Sequence, residues 1–163
     1  LPVARFADEM GWSIDVYDFR GALVMPERFP MARVSMASAS ALPHQLELEK
    51  NCLAVVMSHH LDYDAAALSI LLRSDAPQFV GLLGPKRRAN EVIDLVESQS
   101  RRLTVTERAR LKTPVGLDLG AEGPAAVALS ILAELQATLA GRSGCSLSLA
   151  PTSLLPRDEA ARG

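Results

Sequence analysis

The chain has little of what marks several large functional classes. Its 163 residues carry a formal charge of −2 and no long basic run, so neither nucleic acid nor an anionic membrane surface is expected as a main partner. No apolar stretch approaches the length of a membrane span. The two cysteines, Cys52 and Cys145, stand far apart and outside any Cys-x-x-Cys pattern. With no signal peptide visible either, a reducing cytoplasm is the expected compartment. A Gly-x-Ser-x-Gly elbow and a Walker loop are both missing, which leaves hydrolases and phosphoryl-transfer enzymes without support. His-x-x-x-His is missing too, and no internal repeat is visible.

What is present suits one compact α/β domain with a real core, since 48% of the residues are hydrophobic types, and a second full domain is not expected at this length. Val3, Phe6, Ala7 and Met10 share one helix face, and Gly11 supplies a C-terminal stop. Residue 1 is Leu and the pattern opens directly in that helix, so an upstream part is expected to have been cut away. Ser13 to Tyr17 alternates like a strand and ends at Asp18, with Arg20 two residues on. Residues 21–52 are broken by Pro26, Pro30 and Pro43, with a short strand over Ala32 to Met36 and a brief helix over Leu42 to Glu49. Leu53 to Met57 is an apolar run of the kind that a parallel strand covered on both faces requires. Leu61, Ala65, Leu68 and Leu72 then form a helical stripe.

The stretch from Gln78 to Val92 reads as a buried strand, a tight turn and a helix. Phe79 to Leu83 is apolar, Gly84 closes it, and Pro85 suits the first turn of the helix that follows. Lys86, Arg87 and Arg88 place three cations at the positive end of the helix dipole. Each costs about 0.3 to 1 kcal/mol if nothing negative offsets it, so a bound phosphate or other anion is the simplest compensation. The alternative is a basic edge whose side chains swing into water. Further on, Thr104 and Glu107 have capping-box spacing for a short helix to Leu111. Pro114 to Gly120 reads as a glycine-bearing strand, and Pro124 starts a long helix with Ala128, Ile131, Leu132, Leu135 and Leu139 on one face. Residues 1–140 are expected to form the domain and 141–163 a loosely ordered tail.

Strands alternating with helices predict a three-layer, Rossmann-like fold, a mostly parallel sheet with helices on both faces. Ligands of such sheets gather at the carboxyl ends of the strands. The loops after Tyr17, Met57, Leu83 and Leu117 should therefore share one edge. Asp18 occupies the place where such folds grip a ribose hydroxyl, and Arg20 can meet a 2′-phosphate, or Asp18 simply caps a turn. His59, His60, Asp62 and Asp64 cluster after a strand, but with no second ligand cluster the metal or general-base reading is weak. His59 is expected to line the cleft and His60 to face outward. Asp118 lies between Gly116 and Gly120, where glycine allows backbone to approach a ligand closely or merely forms a turn. Cys52 reads as a packed thiol, and Cys145 as an exposed one without an activating base.

Several of these segments together resemble the C-terminal Rossmann-like domain of the XdhC/CoxI family, accessory proteins for molybdenum hydroxylases such as xanthine dehydrogenase and carbon monoxide dehydrogenase. The resemblance rests on Ala54-Val55-Val56-Met57-Ser58-His59, on Val80 to Gly84 with Lys86-Arg87-Arg88, and on Pro114 to Gly120 leading to Ala128 to Leu135. Gly11-Trp12 and Asp18-Phe19-Arg20 are similar as well. The likeness runs from about Val3 to Gly144. The family usually has Ser where Pro85 stands, Thr where Ser58 stands, and Thr-Pro-Glu-Glu where Gly123 to Ala126 stand. In the family, a first strand and glycine-rich turn precede such a helix, so the sheet is expected to lack that strand here and to leave an open edge beside the Ser13 strand, which invites a homodimer.

The resemblance implies a chaperone rather than an enzyme. Its implied role is to bind molybdenum cofactor (molybdopterin) and deliver it, after sulfuration, to a molybdenum hydroxylase subunit, with a cysteine desulfurase as a further partner. The cofactor cleft would be formed by Asp18, Arg20, Ser58, His59, Gly84, Lys86, Arg87, Arg88, Asp118 and Gly120. Two other readings stand beside it: an NAD(P)-binding oxidoreductase or dinucleotide-binding module, and a protein-interaction module that docks on the hydroxylase.

Overall fold

The computed structural model describes residues 1–149. In chain order the helices are α1 (Pro2–Glu9), α2 (Leu42–Gln45), α3 (Leu61–Arg73), α4 (Lys86–Gln99), α5 (Val105–Arg110) and α6 (Gly123–Leu139). The strands are β1 (Asp15–Asp18), β2 (Arg33–Met36), β3 (Leu53–Val56), β4 (Phe79–Leu82) and β5 (Leu111–Lys112). Short 3-10 turns occupy Gly21–Leu23 and Leu147–Leu149. No described helix is long and apolar enough to cross a membrane. Most of the expected tail, residues 150–163, lies outside the described residues.

Every strand pair is parallel, as the alternation of strands and helices requires, but the strands form two sheets rather than one continuous sheet. One is β1-β2, with Asp15 opposite Arg33; the other is β3-β4-β5, with Leu53 opposite Phe79 and Val80 opposite Leu111. Among the described residues, β1 and β3 are each paired on one side only, which agrees with the free edge expected beside β1.

Period-two alternation sorts the side chains into two cores. Ala54 and Val56 of β3 and Val80 and Leu82 of β4 join Leu68, Leu72, Val92 and Val96 on the face covered by α3 and α4. Leu53 and Val55, with Phe79, join Ala7, Ile131, Leu132 and Leu135 on the face covered by α1 and α6. Each fully buried side chain of this size stabilises by roughly 1.5 to 3 kcal/mol, so a one-residue register slip would exchange the two cores at heavy cost. β4 is buried at all four positions, which makes it the centre of the domain.

The strand expected over Pro114 to Gly120 is a loop, and the strand in this region is the two-residue β5 just before it. Gly116 adopts φ +118°, which ends any extended run. The loop is nevertheless fixed. Gly116 N–H donates to Glu134 Oε2 at 2.7 Å. Leu117 N–H donates to the Ser130 carbonyl, and Ser130 Oγ donates to the Leu117 carbonyl. Val115 N–H reaches the Leu82 carbonyl and so carries the pairing with β4 slightly further.

Candidate functional site

The loops after β3 and β4 emerge at one edge because those strands are parallel, and a chain of charged and polar groups joins the loop after β1 to them. Asp18 closes β1. Arg20 Nε and Nη2 donate to Asp18 Oδ1 and Oδ2 at 2.9 and 2.7 Å, and the Arg20 amide adds a third bond to Oδ1 at 2.8 Å. Burial alone would lift the Asp18 carboxyl, but these bonds outweigh it and hold its pKa below the ordinary value. The same bonds raise that of Arg20.

Arg20 Nη2 also donates to the Ser58 carbonyl at 3.1 Å, which ties the loop after β1 to the loop after β3. Ser58 in turn gives its N–H and its hydroxyl to Asp64 Oδ1 at 3.1 and 2.5 Å. Asp64 lies in the first turn of α3, is fully buried, and accepts Arg88 Nη2 on Oδ2 at 2.6 Å. Arg88 comes from the first turn of α4, so five residues from four segments form one connected path. A buried carboxylate needs such partners, because removing one of them strands a charge away from water.

Gly84 explains how Arg88 reaches inward. It sits at φ +135°, and a Cβ there would meet Arg88 Cδ at 3.1 Å, so the side chain folds back along the turn. Pro85 is the residue before the first turn of α4, no side chain caps that helix, and its first turn contains no acid. Lys86 and Arg87 are exposed there, with Arg87 in a loose 3.8 Å contact to Glu91 one turn on.

Tyr63 lies beneath the network, with its ring 5.0 Å from that of Phe19. Its hydroxyl is buried with no hydrogen-bond partner among the described residues. Burial, together with the negative charges of Asp18 and Asp64, pushes its pKa up to about 12, so it remains a neutral donor at ordinary pH.

The structure thus brings together Asp18, Arg20, Ser58 and Arg88, with Gly84, Lys86 and Arg87 alongside. His59 is exposed at φ +61°, in the left-handed region. His60 is exposed too, as its expected outward place requires, but it is anchored. Its Nδ1 accepts the Tyr63 N–H at the start of α3, and its ring packs edge-on against Phe19. Asp118 and Gly120 lie exposed in the loop stitched to α6, and no hydrogen bond joins them to the other candidates among the described residues. Among those residues, no group of three or more His, Cys, Asp or Glu could hold a metal ion.

Asp64 is the member that sequence reasoning missed as the hub. The signal for it was available: Asp64, Leu68 and Leu71 recur at i, i+4 and i+7, so an acid stands on the buried face of α3 and must have a cationic partner. Arg88 supplies it, which changes the argument from misplaced cations. Of the three at the start of α4, Arg88 is offset from within the protein by Asp64, Arg87 meets Glu91 only loosely, and Lys86 is exposed.

The model of the family described as the XdhC Rossmann domain matches residues 1–135. A probable xanthine dehydrogenase subunit of Bacillus subtilis (strain 168) is 29% identical over 136 residues, covering 83% of this chain and 38% of the relative. The "Uncharacterized protein YqeB" of Escherichia coli (strain K12) is 30% identical over 137 residues, covering 82% and 24%. Among solved structures, a xanthine dehydrogenase from Bacillus halodurans superposes with a TM-score of 0.74 at 26% identity, covering 86% of this chain and 41% of that one. The chain therefore spans less than half the length of these relatives. On the match across most of its length, the chain belongs to the XdhC Rossmann domain family.

Proposed function

We propose that this chain is the cofactor-handling part of an accessory protein for a molybdenum hydroxylase of the xanthine dehydrogenase type. In this reading it binds molybdenum cofactor at the carboxyl edge of the sheets and passes it on, after sulfuration with a cysteine desulfurase as partner, without itself catalysing a reaction. The observation that carries the proposal is the uncapped start of α4, with Lys86 and Arg87 exposed beside a fixed Arg88, at the edge where Arg20 is also anchored.

The donor set fits the cofactor's terminal phosphate. Free N–H groups at a helix start, with Lys86 exposed and Arg87 held only loosely to Glu91, favour a dianion. The first turn of α4 would hold the phosphate, while Arg20 and the Ser58 loop would border the organic part. When bound, the cofactor supplies the molybdenum chemistry that the hydroxylase uses. This chain's residues bind and orient it.

A dinucleotide site is less well supported. Both Asp18 oxygens are already engaged by Arg20, so a ribose could be gripped only by displacing that fork. Competition separates the two readings. Inorganic pyrophosphate should displace molybdenum cofactor from the intact protein, more weakly as salt rises, whereas NAD and NADP should not bind in the micromolar range. Micromolar NADP binding, or cofactor binding indifferent to pyrophosphate and salt, would overturn the proposal.

A further inference from the structure

Asp64 has a position that the anion-site reading does not use. It is fully buried, touches no exposed surface, and yet sits between the two arginines of the edge. Its Oδ2 holds Arg88 directly, and its Oδ1 holds both the N–H and the hydroxyl of Ser58, whose carbonyl receives Arg20. The remaining bonds to Arg20 come from Asp18, which belongs to the loop of Arg20 itself. Among the described residues, only the path through Ser58 and Asp64 connects Arg20 to the start of α4.

We propose that Asp64 is a positioning residue that sets Arg88 directly and Arg20 through Ser58, so that the two guanidinium groups act on an anionic ligand as one unit. The inference rests on the anion site proposed above and names the part that organises it.

The physical reason is the cost of leaving the Asp64 carboxylate unpaired. In a site shut off from water, a carboxylate tolerates little departure from its hydrogen-bonding partners, so it fixes them more tightly than an exposed acid can. Arg88 is held at one nitrogen by Asp64 and along its stem by Gly84, and its Nε is buried with no acceptor among the described residues. That buried nitrogen is out of a ligand's reach, but only Nη2 is bonded among the described residues and the side chain is 21% exposed, so the guanidinium keeps donor capacity beyond the Asp64 bond. Preorganised charged donors bind an anion more tightly than the same groups free to rotate, because less side-chain entropy is lost on binding.

Positioning and simple charge counting predict opposite signs. Asp64→Asn removes one negative charge from the edge, so charge counting predicts tighter phosphate binding. Loss of positioning predicts weaker binding. The experiment is a titration of the intact protein with inorganic phosphate, followed by the amide signals of Lys86 and Arg87 and the side-chain Nε signals of Arg20 and Arg88.

D64N should weaken phosphate binding about tenfold, the range expected for loss of one charge-assisted hydrogen bond. It should also move the Arg20 Nε signal, although Arg20 does not touch Asp64. Ser58→Ala, which loses the hydroxyl bond but keeps the amide bond, should weaken binding by a smaller factor and move the same signal. If D64N does not fold, Arg88→Lys keeps a cation beside Asp64 but loses the fork, and it should weaken binding with the net charge unchanged. Unchanged or tighter binding in D64N, or in R88K where that variant stands in, overturns this inference while leaving the anion site standing. A wild-type protein whose Lys86 and Arg87 amides do not respond to phosphate overturns the anion site and this inference with it.

Discussion

Two ion-pair clusters in this small domain are both built from carboxylates, arginines and a hydroxyl residue, and they differ in nearly everything else. At the carboxyl edge, Asp64 draws on Ser58 six residues away and Arg88 twenty-four away, and Ser58 draws on Arg20 at a separation of thirty-eight. At the opposite edge, where α4 ends and α5 begins, Glu107 takes the Thr104 amide three residues away and both terminal nitrogens of Arg101 six away. Arg108 pairs with Glu97 nearby. That second cluster caps a helix and closes its own bonds. The first joins separate loops and leaves Lys86 exposed and Arg87 only loosely held to Glu91 beside them. A concentration of charge marks a site when it bridges elements and leaves charge to spare; when every group is spent locally, it marks a cap.

The comparison is broken most severely by Arg88→Ala. If Asp64 is the buried hub, removing its cation leaves an unpaired carboxylate, and the variant should lose about 3 to 5 kcal/mol in urea unfolding. Arg101→Ala should cost far less, because Arg101 is half exposed at 51% and its pair is screened by water. Equal losses in the two variants would erase the distinction between the clusters.

Gly116→Ala comes next. A Cβ there would lie 2.4 Å from Ser130 Oγ at φ +118°, so the loop that Glu134 and Ser130 hold should be forced out, at roughly 1 to 3 kcal/mol. Gly120→Ala meets nothing within 4 Å and should cost only the strain of a left-handed residue, about 1 kcal/mol. Thermal unfolding of the pair would show whether the stitched part of this loop differs from its open end.

The smallest effect is electrostatic and concerns the capping edge. Arg101 first, then the Thr104 amide, hold the Glu107 pKa at about 2, against an ordinary 4.5. Because folding lowers it, the unfolded chain takes up a proton first as the pH falls. The contribution is complete above 4.5 and is lost as the pH drops to about 2. Urea midpoints measured through that window should decline, and Glu107→Gln should flatten the slope. An identical slope in the variant would contradict the assignment.

Much of this architecture was legible because local chemistry and global fold agree. The Thr104 to Glu107 capping box, Gly11 at the end of α1, and the apolar runs of β3 and β4 all lie where their residues require. The region from Leu111 to Gly120 was misread for a physical reason. Val115 and Leu117 alternate like strand residues, but their partners are Leu82 and α6 rather than a full ladder, and the two residues of β5 are too few to make a pattern.

At the site, Asp18, Arg20 and the cations of α4 could be picked out from their places at strand and helix ends. The role of Asp64 could not be reached by counting charges along one helix, because the dipole argument is local and the acid that offsets Arg88 belongs to another helix. His59 and His60 illustrate the same limit. Strand alternation predicts opposite directions for the two, but His59 is left-handed and both residues are exposed, with only the His60 ring packed on Phe19.

The central claim is that the carboxyl edge, and not charge in general, receives the cofactor. It is tested most directly by titrating molybdenum cofactor into the intact protein and two double variants, K86A/R87A at the carboxyl edge and R101A/R108A at the capping edge. Both remove two positive charges. The account predicts at least tenfold weaker binding in the first and unchanged affinity in the second; equal affinities in the two variants would contradict it.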